Sequence, residues 1–487
     1  MNNDTDWSMN INRSKAKILC TLGPSSSGTE MLTSLVDAGM DVARLNFSHG
    51  TSNEHLDTLK NVREAARRSG VEIAVLQDLQ GPKIRIGDLS VPSVELRSGD
   101  RFIITTDQGF RGPTKVSTTY GGLARDVHRG DTLLLDDGKL SLTVGEVHGG
   151  DVVCTVVVGG PLSAHKGINL PGVEVSAPSV TEKDLQDLEF GIRQGVDYVA
   201  LSFVRKADDV RYLRNAIRER AANAHTLPIV AKIEKPQAVK NIDSIIAEAD
   251  GIMVARGDLG VELPPEDVPI LQKMIIKKCN QAGKPVIVAT QMLESMIHNP
   301  TPTRAEASDV ANAVVDGCDA VMLSGETSVG KYPLEAVRIM DKIISKVESE
   351  GIARRGVLDR RDAAVEGRPD ALGRAACVLA EQMQAAAIVV VTRSGQTARI
   401  VSHYRPAPGI IAITDRPAIL RSLNLYWGVR GVVIDELAGD SDKALQDIQE
   451  KLIASGMVER GEYVVLLAGQ PFFAQGSTNF IKVEKVL

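Results

Sequence analysis

Short apolar runs alternate with longer amphipathic segments over most of the first 350 residues. The runs are rich in Val, Ile, Leu and Ala and lack polar alternation, which is typical of parallel strands buried on both faces. Eight strands are predicted, at 17–21, 41–46, 73–78, 198–203, 229–233, 251–254, 286–290 and 320–324. Helices are predicted between them, for example at 30–38, 54–68, 208–221 and 304–315. Eight β–α units over ~250 residues predict a TIM (β/α)8 barrel.

The segment 82–176 interrupts this alternation after the third strand. It is rich in Gly, Asp, Thr and Val, with turn signals such as Asp136-Asp-Gly138 between short alternating runs at 102–105, 132–135, 140–144 and 152–158. These features are typical of a small all-β domain. We therefore expect a barrel in two parts, 1–81 and 177–350, with a β-rich lid domain inserted at 82–176.

The pattern changes again after a long helix predicted at 333–350. A charged, turn-rich linker spans 351–369, and helices then alternate with strands at 388–391, 410–413, 429–434, 463–468 and 480–486. This alternation predicts a separate α/β domain. The predicted fold class is α/β: a TIM barrel with an inserted all-β lid and a C-terminal α/β domain at 351–487.

Composition narrows the class of protein. The net charge is −6 and aromatic residues make up 3% of the chain, which argues against nucleic-acid and membrane-surface binding. No apolar run approaches the ~20 residues that cross a bilayer, and the first ten residues are unlike a signal peptide. The five cysteines are scattered without a CxxC pair, as in a reducing compartment. We expect a soluble cytoplasmic protein with no nucleic-acid or membrane partner.

Polar side chains end seven of the eight predicted barrel strands. In a closed barrel the C-terminal ends of the strands meet at one rim, where TIM-barrel enzymes have their active sites. Seven polar ends at one rim therefore indicate an enzyme. In chain order they are Arg44 to His49, Asp78, Ser202, Lys232 with Glu234, Arg256 with Asp258, Thr290, and Ser324 with Glu326.

Two carboxylates and a lysine suggest the chemistry of this rim. Lys232 and Glu234 are two positions apart, so on a strand they point to the same face, and a buried ion pair would explain them as well. A structural role as a turn residue or helix N-cap is the alternative to metal binding for Asp258. Together the carboxylates predict a Mg²⁺ site completed by substrate and water, with the lysine facing a phosphoryl group. Thr290 and Ser324 either cap their strands or place hydroxyls near an enolate.

These residues lie in segments that resemble the pyruvate kinase family. The resemblance covers nearly the whole chain, including the insertion and the last domain, and implies the architecture predicted above. It is carried by Cys20-Thr-Leu-Gly-Pro24, Ala43-Arg-Leu-Asn-Phe-Ser-His-Gly50, Gly81-Pro82, Lys166-Gly-Ile-Asn-Leu-Pro-Gly172, Ala231-Lys-Ile-Glu234, Gly251-Ile-Met-Val-Ala-Arg-Gly-Asp-Leu-Gly-Val-Glu262, Ala289-Thr-Gln-Met-Leu-Glu-Ser-Met296 and Met322-Leu-Ser-Gly-Glu-Thr327.

The resemblance implies phosphoryl transfer from phosphoenolpyruvate to ADP in glycolysis, followed by protonation of the enolate to pyruvate. The implied metal ligands are Glu234 and Asp258, for Mg²⁺ or for Mn²⁺ in its place. The implied catalytic residues are Lys232, Thr290, Arg44 and Ser324. The implied substrate-binding residues are Arg44, Arg85, Lys232, Gly257, Asp258 and Thr290. The implied nucleotide-binding residues are Pro24, Asn46, His49, Arg85 and Lys166.

A loop in the last domain suggests regulation. A hydroxyl- and glycine-rich turn follows the strand at 388–391 and leads into a helix, where amides and the helix dipole favour an anion; an ordinary N-cap turn is the alternative. The family places its allosteric phosphate pocket on the matching loop. The resemblance therefore implies a phosphorylated effector, which could be a sugar phosphate, a sugar bisphosphate or AMP, and a homotetramer. The implied effector residues are Thr392, Arg393, Ser394, Gly395 and Thr397.

A further comparison concerns monovalent cations. Many family members hold K⁺ with residues matching Asn46, Ser48, Asp78 and the carbonyl of Leu79. They carry Glu where this chain has Lys83, and Thr, Lys and Thr where it has Leu79, Gln80 and Ile86. The chain thus resembles the K⁺-independent subgroup, in which a fixed ammonium replaces the external cation. The alternative for Lys83 is a solvated surface charge.

Two other classes of function stay open at this point. One is a different Mg²⁺ barrel enzyme acting on an oxoacid enolate, such as an aldolase. The other is a metabolite sensor built on an inactive barrel. Formation of pyruvate from phosphoenolpyruvate, dependent on ADP and Mg²⁺, distinguishes both from the expected activity.

Overall fold

Eight parallel strands close into a barrel in the structure, a computed structural model that describes residues 13–221, 227–351, 367–434, 441–469 and 478–487. Apart from Asn46, every residue of these strands is buried, as the uninterrupted apolar runs predicted. The order around the barrel is β1-β16-β15-β14-β13-β12-β3-β2. The strands are β1 (Lys17–Thr21), β2 (Met40–Asn46), β3 (Ala74–Asp78), β12 (Tyr198–Leu201), β13 (Ile229–Ile233), β14 (Gly251–Ala255), β15 (Val286–Ala289) and β16 (Ala320–Leu323).

Helices surround the barrel, and several begin at locally encoded caps. Three of them follow a threonine whose hydroxyl accepts from the amide three residues on, namely Thr51, Thr181 and Thr303. The barrel helices are α1 (Thr29–Ala38), α2 (Ser52–Arg68), α4 (Glu182–Gln194), α5 (Ala207–Arg220), α6 (Pro236–Lys240), α7 (Ile242–Glu248), α8 (Arg256–Glu262), α9 (Val268–Gln281), α10 (Arg304–Asp316), α11 (Gly325–Ser328) and α12 (Pro333–Ser349). None of the helices in the described residues has both the length and the apolar character needed to span a membrane.

The inserted segment forms a lid with its own apolar core, which includes Phe102, Leu133 and Val152. Six strands form one sheet in the order β11-β7-β8-β9-β5-β6, and β10 pairs with β4. The elements are β4 (Ser93–Leu96), β5 (Arg101–Thr105), β6 (Lys115–Ser117), α3 (Leu123–Asp126), β7 (Thr132–Leu135), β8 (Leu140–His148), β9 (Asp151–Val158), β10 (Gly160–Ser163) and β11 (Ile168–Asn169). The predicted all-β insertion thus contains one four-residue helix.

The C-terminal segment is a layered α/β unit around a five-stranded sheet in the order β19-β18-β17-β20-β21. Its last strand is antiparallel to its neighbour and the others are parallel. The elements are α13 (Arg368–Gln382), β17 (Ala387–Val391), α14 (Gln396–His403), β18 (Gly409–Thr414), α15 (Pro417–Arg421), β19 (Val429–Val433), α16 (Ser441–Ala454), β20 (Tyr463–Ala468) and β21 (Phe480–Lys485). The predicted fold class is confirmed. The domain boundaries stay a prediction, and most of the linker predicted at 351–369 lies outside the described residues.

Buried polar contacts attach this unit to the N-terminal ends of the barrel strands. Lys17, at the start of β1, donates to the carbonyl of Val429 at 2.6 Å. Arg405 pairs with Asp319, just before β16, at 2.7 Å. Since these contacts occupy the bottom of the barrel, the opposite rim, with the strand C-termini, is left to the lid.

Candidate active site

Four charged side chains form a continuous buried cluster at the C-terminal rim. Arg44 Nε donates to Asp78 Oδ2 at 2.7 Å, and Asp78 Oδ1 lies 3.3 Å from Lys232 Nζ. The same ammonium lies 2.8 Å from Glu234 Oε1 and donates to Ser202 Oγ at 2.8 Å. Cations and carboxylates therefore alternate, which is the arrangement that makes burial of four charges tolerable.

The electrostatics of the cluster differ from one group to the next. Burial alone raises the pKa of Asp78, but Lys232 and Arg44 together hold it below its ordinary value. Burial alone lowers the pKa of Lys232, but Asp78 and Glu234 raise it above the ordinary lysine value. For Glu234, burial raises the pKa by more than Lys232 lowers it, and the repulsion from Asp258 adds a smaller rise. The ammonium is thus firmly charged, while Glu234 is a carboxylate short of positive charge.

Asp258 lies in the first turn of α8 and is half-buried. It is not the N-cap of that helix, a place that Ala255 holds, so the alternative of a capping residue does not apply. Glu234 and Asp258 supply hard oxygen donors whose mutual repulsion a divalent cation would relieve. Among the described residues no group of three or more His, Cys, Asp and Glu could hold a metal. A Mg²⁺ ion here would need substrate and water oxygens, which suits its preferences.

Thr290 sits in a strained conformation beside the start of α8. Its φ of 71° is in the left-handed region, which is uncommon for a β-branched residue. Its Oγ1 accepts from the amide of Gly257 at 2.7 Å and donates to the carbonyl of Ala289 at 2.6 Å. Such strain persists only where neighbouring contacts hold it, and the hydroxyl is thereby fixed next to the residues that carry Asp258.

Ser324 follows β16 and presents a hydroxyl with no fixed role in the packing. Its amide donates to Glu326 Oε2 at 2.7 Å, and burial raises the pKa of that carboxyl. Its Oγ is buried and has no hydrogen-bond partner in the described part of the chain. A hydroxyl in this state is available for a bound water or substrate.

The residues predicted for nucleotide binding divide between barrel and lid. Pro24 and His49 are exposed at the ends of β1 and β2, while Asn46 ends β2 itself. Arg85 pairs through its backbone with the stretch that carries Lys166, so both cations belong to the lid. Burial, then Arg85 and Lys83, lower the pKa of His49. Arg85 is therefore close enough to act on the barrel rim, whereas the ammonium of Lys166 lies 2.8 Å from Asp136 of the lid.

The predicted monovalent-cation region already contains fixed positive charge. Asp78 is shared between Arg44 and Lys232, and the carbonyl of Leu79 accepts from Ser202 Oγ at 2.7 Å. Asn46 Oδ1 accepts from the amide of Ser48 at 3.2 Å. Lys83 is half-buried near His49. The oxygen atoms of Asn46, Asp78 and Leu79 described here thus have protein partners.

The predicted effector loop lies far from this rim, between β17 and α14. Gly395 precedes the helix with a φ of 79°, and its amide donates to Thr392 Oγ1 at 3.0 Å. Thr397 Oγ1 lies 2.6 Å from the hydroxyl of Thr478. Ser394 Oγ accepts weakly from the amide after the glycine, and Arg393 pairs with Asp415 at 3.2 Å. Four of the predicted residues, 392–395, form the turn before α14, and Thr397 lies in the first turn of that helix.

Sequence reasoning missed two residues near the site. Thr21 ends β1, the one strand without a predicted functional end, and its hydroxyl accepts from Arg44 at 2.9 Å. Glu262 lies one helical turn after Asp258 and is buried. An acidic residue four positions from a predicted metal ligand was the available signal for Glu262, since such residues share a helix face.

A TIM barrel whose rim combines two buried cations with two carboxylates beside a lid is typical of a barrel enzyme that binds an anionic substrate together with a divalent cation. The family model described as "Pyruvate kinase, barrel domain" matches residues 13–337, and "Pyruvate kinase, alpha/beta domain" matches residues 370–484. The chain belongs to the pyruvate kinase family. The predicted family and enzyme class are confirmed, while the K⁺-independent subgroup stays a prediction.

Curated relatives and a solved structure agree over nearly the whole chain. The pyruvate kinase of Geobacillus stearothermophilus is 47% identical over 475 residues, which are 97% of this chain and 80% of the relative. That of Clostridium acetobutylicum is 43% identical over 473 residues, 97% of this chain and 99% of the relative. A crystal structure of a pyruvate kinase from Cryptosporidium parvum has a TM-score of 0.90 at 38% identity, covering 98% of this chain and 97% of that chain.

Proposed function

We propose that the chain catalyses Mg²⁺-dependent phosphoryl transfer from phosphoenolpyruvate to ADP, giving pyruvate and ATP, as a glycolytic enzyme of the cytoplasm. The observation that carries this proposal is the pairing of Arg44 and Lys232 on Asp78 at the rim. Asp78 neutralises only one of the two positive charges that it holds in place, so the two cations suit an arriving phosphoryl group, which carries negative charge.

Different residues are proposed to bind the phosphoryl group, the metal ion and the carboxylate of the substrate. Lys232 and Arg44 orient the phosphoryl oxygens, because positioning and charge neutralisation supply most of the catalysis in phosphoryl transfer. Glu234 and Asp258 would hold Mg²⁺, which supplies electrostatic stabilisation of the developing charge. The amide of Asp258 lies at the start of α8, where a helix favours a carboxylate, and the amide of Gly257 would have to leave Thr290 Oγ1 to join it.

The second half of the proposed reaction is protonation of the enolate. Thr290 is the candidate for a hydroxyl near the methylene carbon, because its conformation and two hydrogen bonds fix it beside Gly257. The unpartnered hydroxyl of Ser324 is a second member of the proton path. Both are strand-end residues, so they face the same rim as the charged cluster.

The lid supplies the nucleotide side of the proposed site. Arg85 and Lys166 would bind the phosphates of ADP, with Pro24, Asn46 and His49 on the barrel. Closure of the lid would exclude water, so that ADP rather than water accepts the phosphoryl group.

The test is pyruvate formation followed through lactate dehydrogenase and NADH. We expect pyruvate only when phosphoenolpyruvate, ADP and Mg²⁺ are all present, and loss of activity on addition of EDTA. Lys232→Met removes the central cation, and Lys240→Met removes an exposed lysine of α6 as a matched control. Pyruvate formed without ADP, or full activity of Lys232→Met, would contradict the proposal.

We also propose that activity does not require K⁺. The support is the half-buried Lys83 beside His49 and the engagement of Asp78 by two cations. We expect full Mg²⁺-dependent activity with tetramethylammonium as the monovalent cation, and a slower, K⁺-stimulated enzyme after Lys83→Glu. The exposed Lys60 of α2 provides the matched control Lys60→Glu. Strong stimulation of the unmodified protein by KCl at constant ionic strength would refute this.

A phosphorylated metabolite is the proposed allosteric activator, bound at the turn before α14. The support is a turn with two hydroxyls, a left-handed glycine and Arg393, followed by the hydroxyl of Thr397 in the first turn of the helix. A sugar phosphate, a sugar bisphosphate and AMP should be titrated separately. We expect Arg393→Glu to weaken activation while unactivated turnover is retained, with Lys451→Glu on α16 as a charge-matched control. Equal activation of Arg393→Glu and the control would remove this loop from the proposal.

The proposed assembly is a homotetramer, as is typical of the family. Light scattering coupled to size-exclusion chromatography measures the mass of the particle directly. A mass of one 52.2 kDa chain at working concentration would contradict the proposal.

A further inference from the structure

A buried carboxylate outside the rim cluster joins the lid to the barrel. Glu262 ends α8, and its side chain is only 1% exposed. Its Oε1 accepts a hydrogen bond of 3.1 Å from Nδ2 of Asn169, which lies on lid strand β11. The same oxygen pairs with the ammonium of Lys235 on the barrel. One carboxylate oxygen thus contacts both parts of the enzyme.

Lys235 is tied to the rim on its other side. It directly follows Glu234, and its Nζ lies 5.6 Å from the centre of the Phe203 ring. The amide of Phe203 donates to Glu234 Oε2 at 2.7 Å. The same ring packs against the first turn of the lid connection, where a Cβ on Gly81 would lie 2.8 Å from Phe203 Cδ2. Lys235 is therefore held between the buried carboxylate and the root of the lid.

The pairing with Lys235 is what makes the lid contact possible. A carboxylate removed from water is strongly unfavourable unless a counter-charge and hydrogen bonds compensate it. Lys235 supplies the charge and Asn169 supplies the hydrogen bond. Without the ammonium, Glu262 would be left uncompensated or would turn toward water, and either change weakens its bond to Asn169.

The contact lies where it can set the position of the nucleotide-binding lid residues. Asn169 is three residues after Lys166. Glu262 is one helical turn after Asp258. Beside it, a Cβ on Gly138 of the lid would lie 3.7 Å from Val261 Cγ1, so the lid rests on the same helix. Lys166 Nζ lies 2.8 Å from Asp136 of the lid, so holding the lid at this point fixes where Lys166 stands relative to the rim.

We propose that Asn169, Glu262 and Lys235 form a latch that keeps the lid closed on the barrel, and that Lys235 is a positioning residue for the nucleotide substrate. This inference rests on the proposed function, in which lid residues bind ADP. The latch residues belong neither to the proposed phosphoryl-binding cations nor to the proposed metal ligands. Loss of the latch should therefore weaken ADP binding more than phosphoenolpyruvate binding. Uniform loss of binding appears in KM rather than in kcat.

The kinetic test compares Lys235→Met with Lys235→Arg and with the exposed control Lys240→Met. We expect Lys235→Met to raise the KM for ADP by about tenfold to a hundredfold, the range for a lost hydrogen bond to a charged group. We expect kcat and the KM for phosphoenolpyruvate to change less than about threefold. Lys235→Arg restores the counter-charge and should recover most of the ADP affinity. An unchanged KM for ADP, an equal rise in both KM values, or no recovery with arginine would overturn the proposal.

A second measurement reads the lid directly and does not depend on turnover. Hydrogen–deuterium exchange of the lid peptide around Asn169, without ligand, should be faster in Lys235→Met and in Asn169→Ala than in the unmodified protein. The double variant should exchange no faster than either single variant, because both break the same contact. Unchanged or fully additive exchange would overturn the latch. If the unmodified protein forms no pyruvate, the proposed function fails, and the exchange data still decide whether the latch exists.

Discussion

Replacing Lys232 by methionine is expected to separate the two halves of the proposed reaction. Methionine keeps much of the length of the side chain and removes its charge. The ammonium now lies 2.8 Å from Glu234 and 3.3 Å from Asp78. Its loss removes the central cation of the cluster, while the contacts of Thr290 with Gly257 and Ala289 remain.

The magnitude follows from the burial and charge of the cluster. Removing one partner of a buried ion pair costs about 3–5 kcal/mol, so the variant should be measurably less stable. A cation that stabilises a transferring phosphoryl group is worth about 10³–10⁵ in rate, or about 4–7 kcal/mol. We expect phosphoryl transfer to fall by this factor. Proton exchange needs no transferred phosphoryl group and should fall by less than about tenfold.

Two assays measure the two steps on the same preparation. Pyruvate formation through lactate dehydrogenase and NADH reports phosphoryl transfer. Deuterium entering the methyl group of pyruvate from heavy water, followed by NMR, reports the enolate–ketone step. Thermal unfolding shows that the variant is folded at the assay temperature. Thr290→Val serves as the reciprocal variant, in which proton exchange should fall more than phosphoryl transfer.

Equal loss of both activities in a folded Lys232→Met protein would refute the assignment of separate roles. In that case the lysine would organise the whole site, as the alternative of a structural ion pair with Glu234 requires. Retention of phosphoryl transfer within about tenfold of the unmodified enzyme would refute the role of the ammonium altogether.

Two further predictions concern the base of the barrel. Burial lowers the pKa of Lys17 from 10.5 to about 8. As the pH rises, the folded chain therefore releases this proton at a lower pH than the unfolded chain does. The free energy of unfolding should therefore rise between about pH 8 and 10.5, relative to Lys17→Met, by on the order of 3 kcal/mol. Guanidinium unfolding of both proteins at several pH values measures this, and a constant difference across the window would contradict it. Arg405→Met should reduce the free energy of unfolding by about 3–5 kcal/mol because it leaves Asp319 buried without this guanidinium. A loss below about 1 kcal/mol, the range of an exposed pair, would show that the contact is not buried in solution.

The C-terminal ends of two barrel strands could not be predicted correctly from the local sequence pattern. The apolar run at 198–203 predicts a strand that includes Phe203, but β12 ends at Leu201. Phe203 has a φ of 55°, and its amide is turned to Glu234 on the neighbouring strand end. The run at 286–290 likewise ends one residue early because Thr290 is held at a φ of 71°. Residue preference favours strand at both positions, and contacts at the site override it.

Local patterns were sufficient to predict the number of barrel strands, the presence of an inserted β-rich segment and the polar residue types at the strand ends. Each of these can be read from a short stretch of chain, because an uninterrupted apolar run and the residue that follows it are local features. The hydrogen-bond and ion-pair partners could not be predicted in this way. Lys232 shares Asp78 with Arg44, and Glu262 takes both Asn169 and Lys235. Such partners are far apart in sequence and meet only when the barrel closes and the lid docks, because register and packing, rather than spacing along the chain, bring their charged atoms within bonding distance.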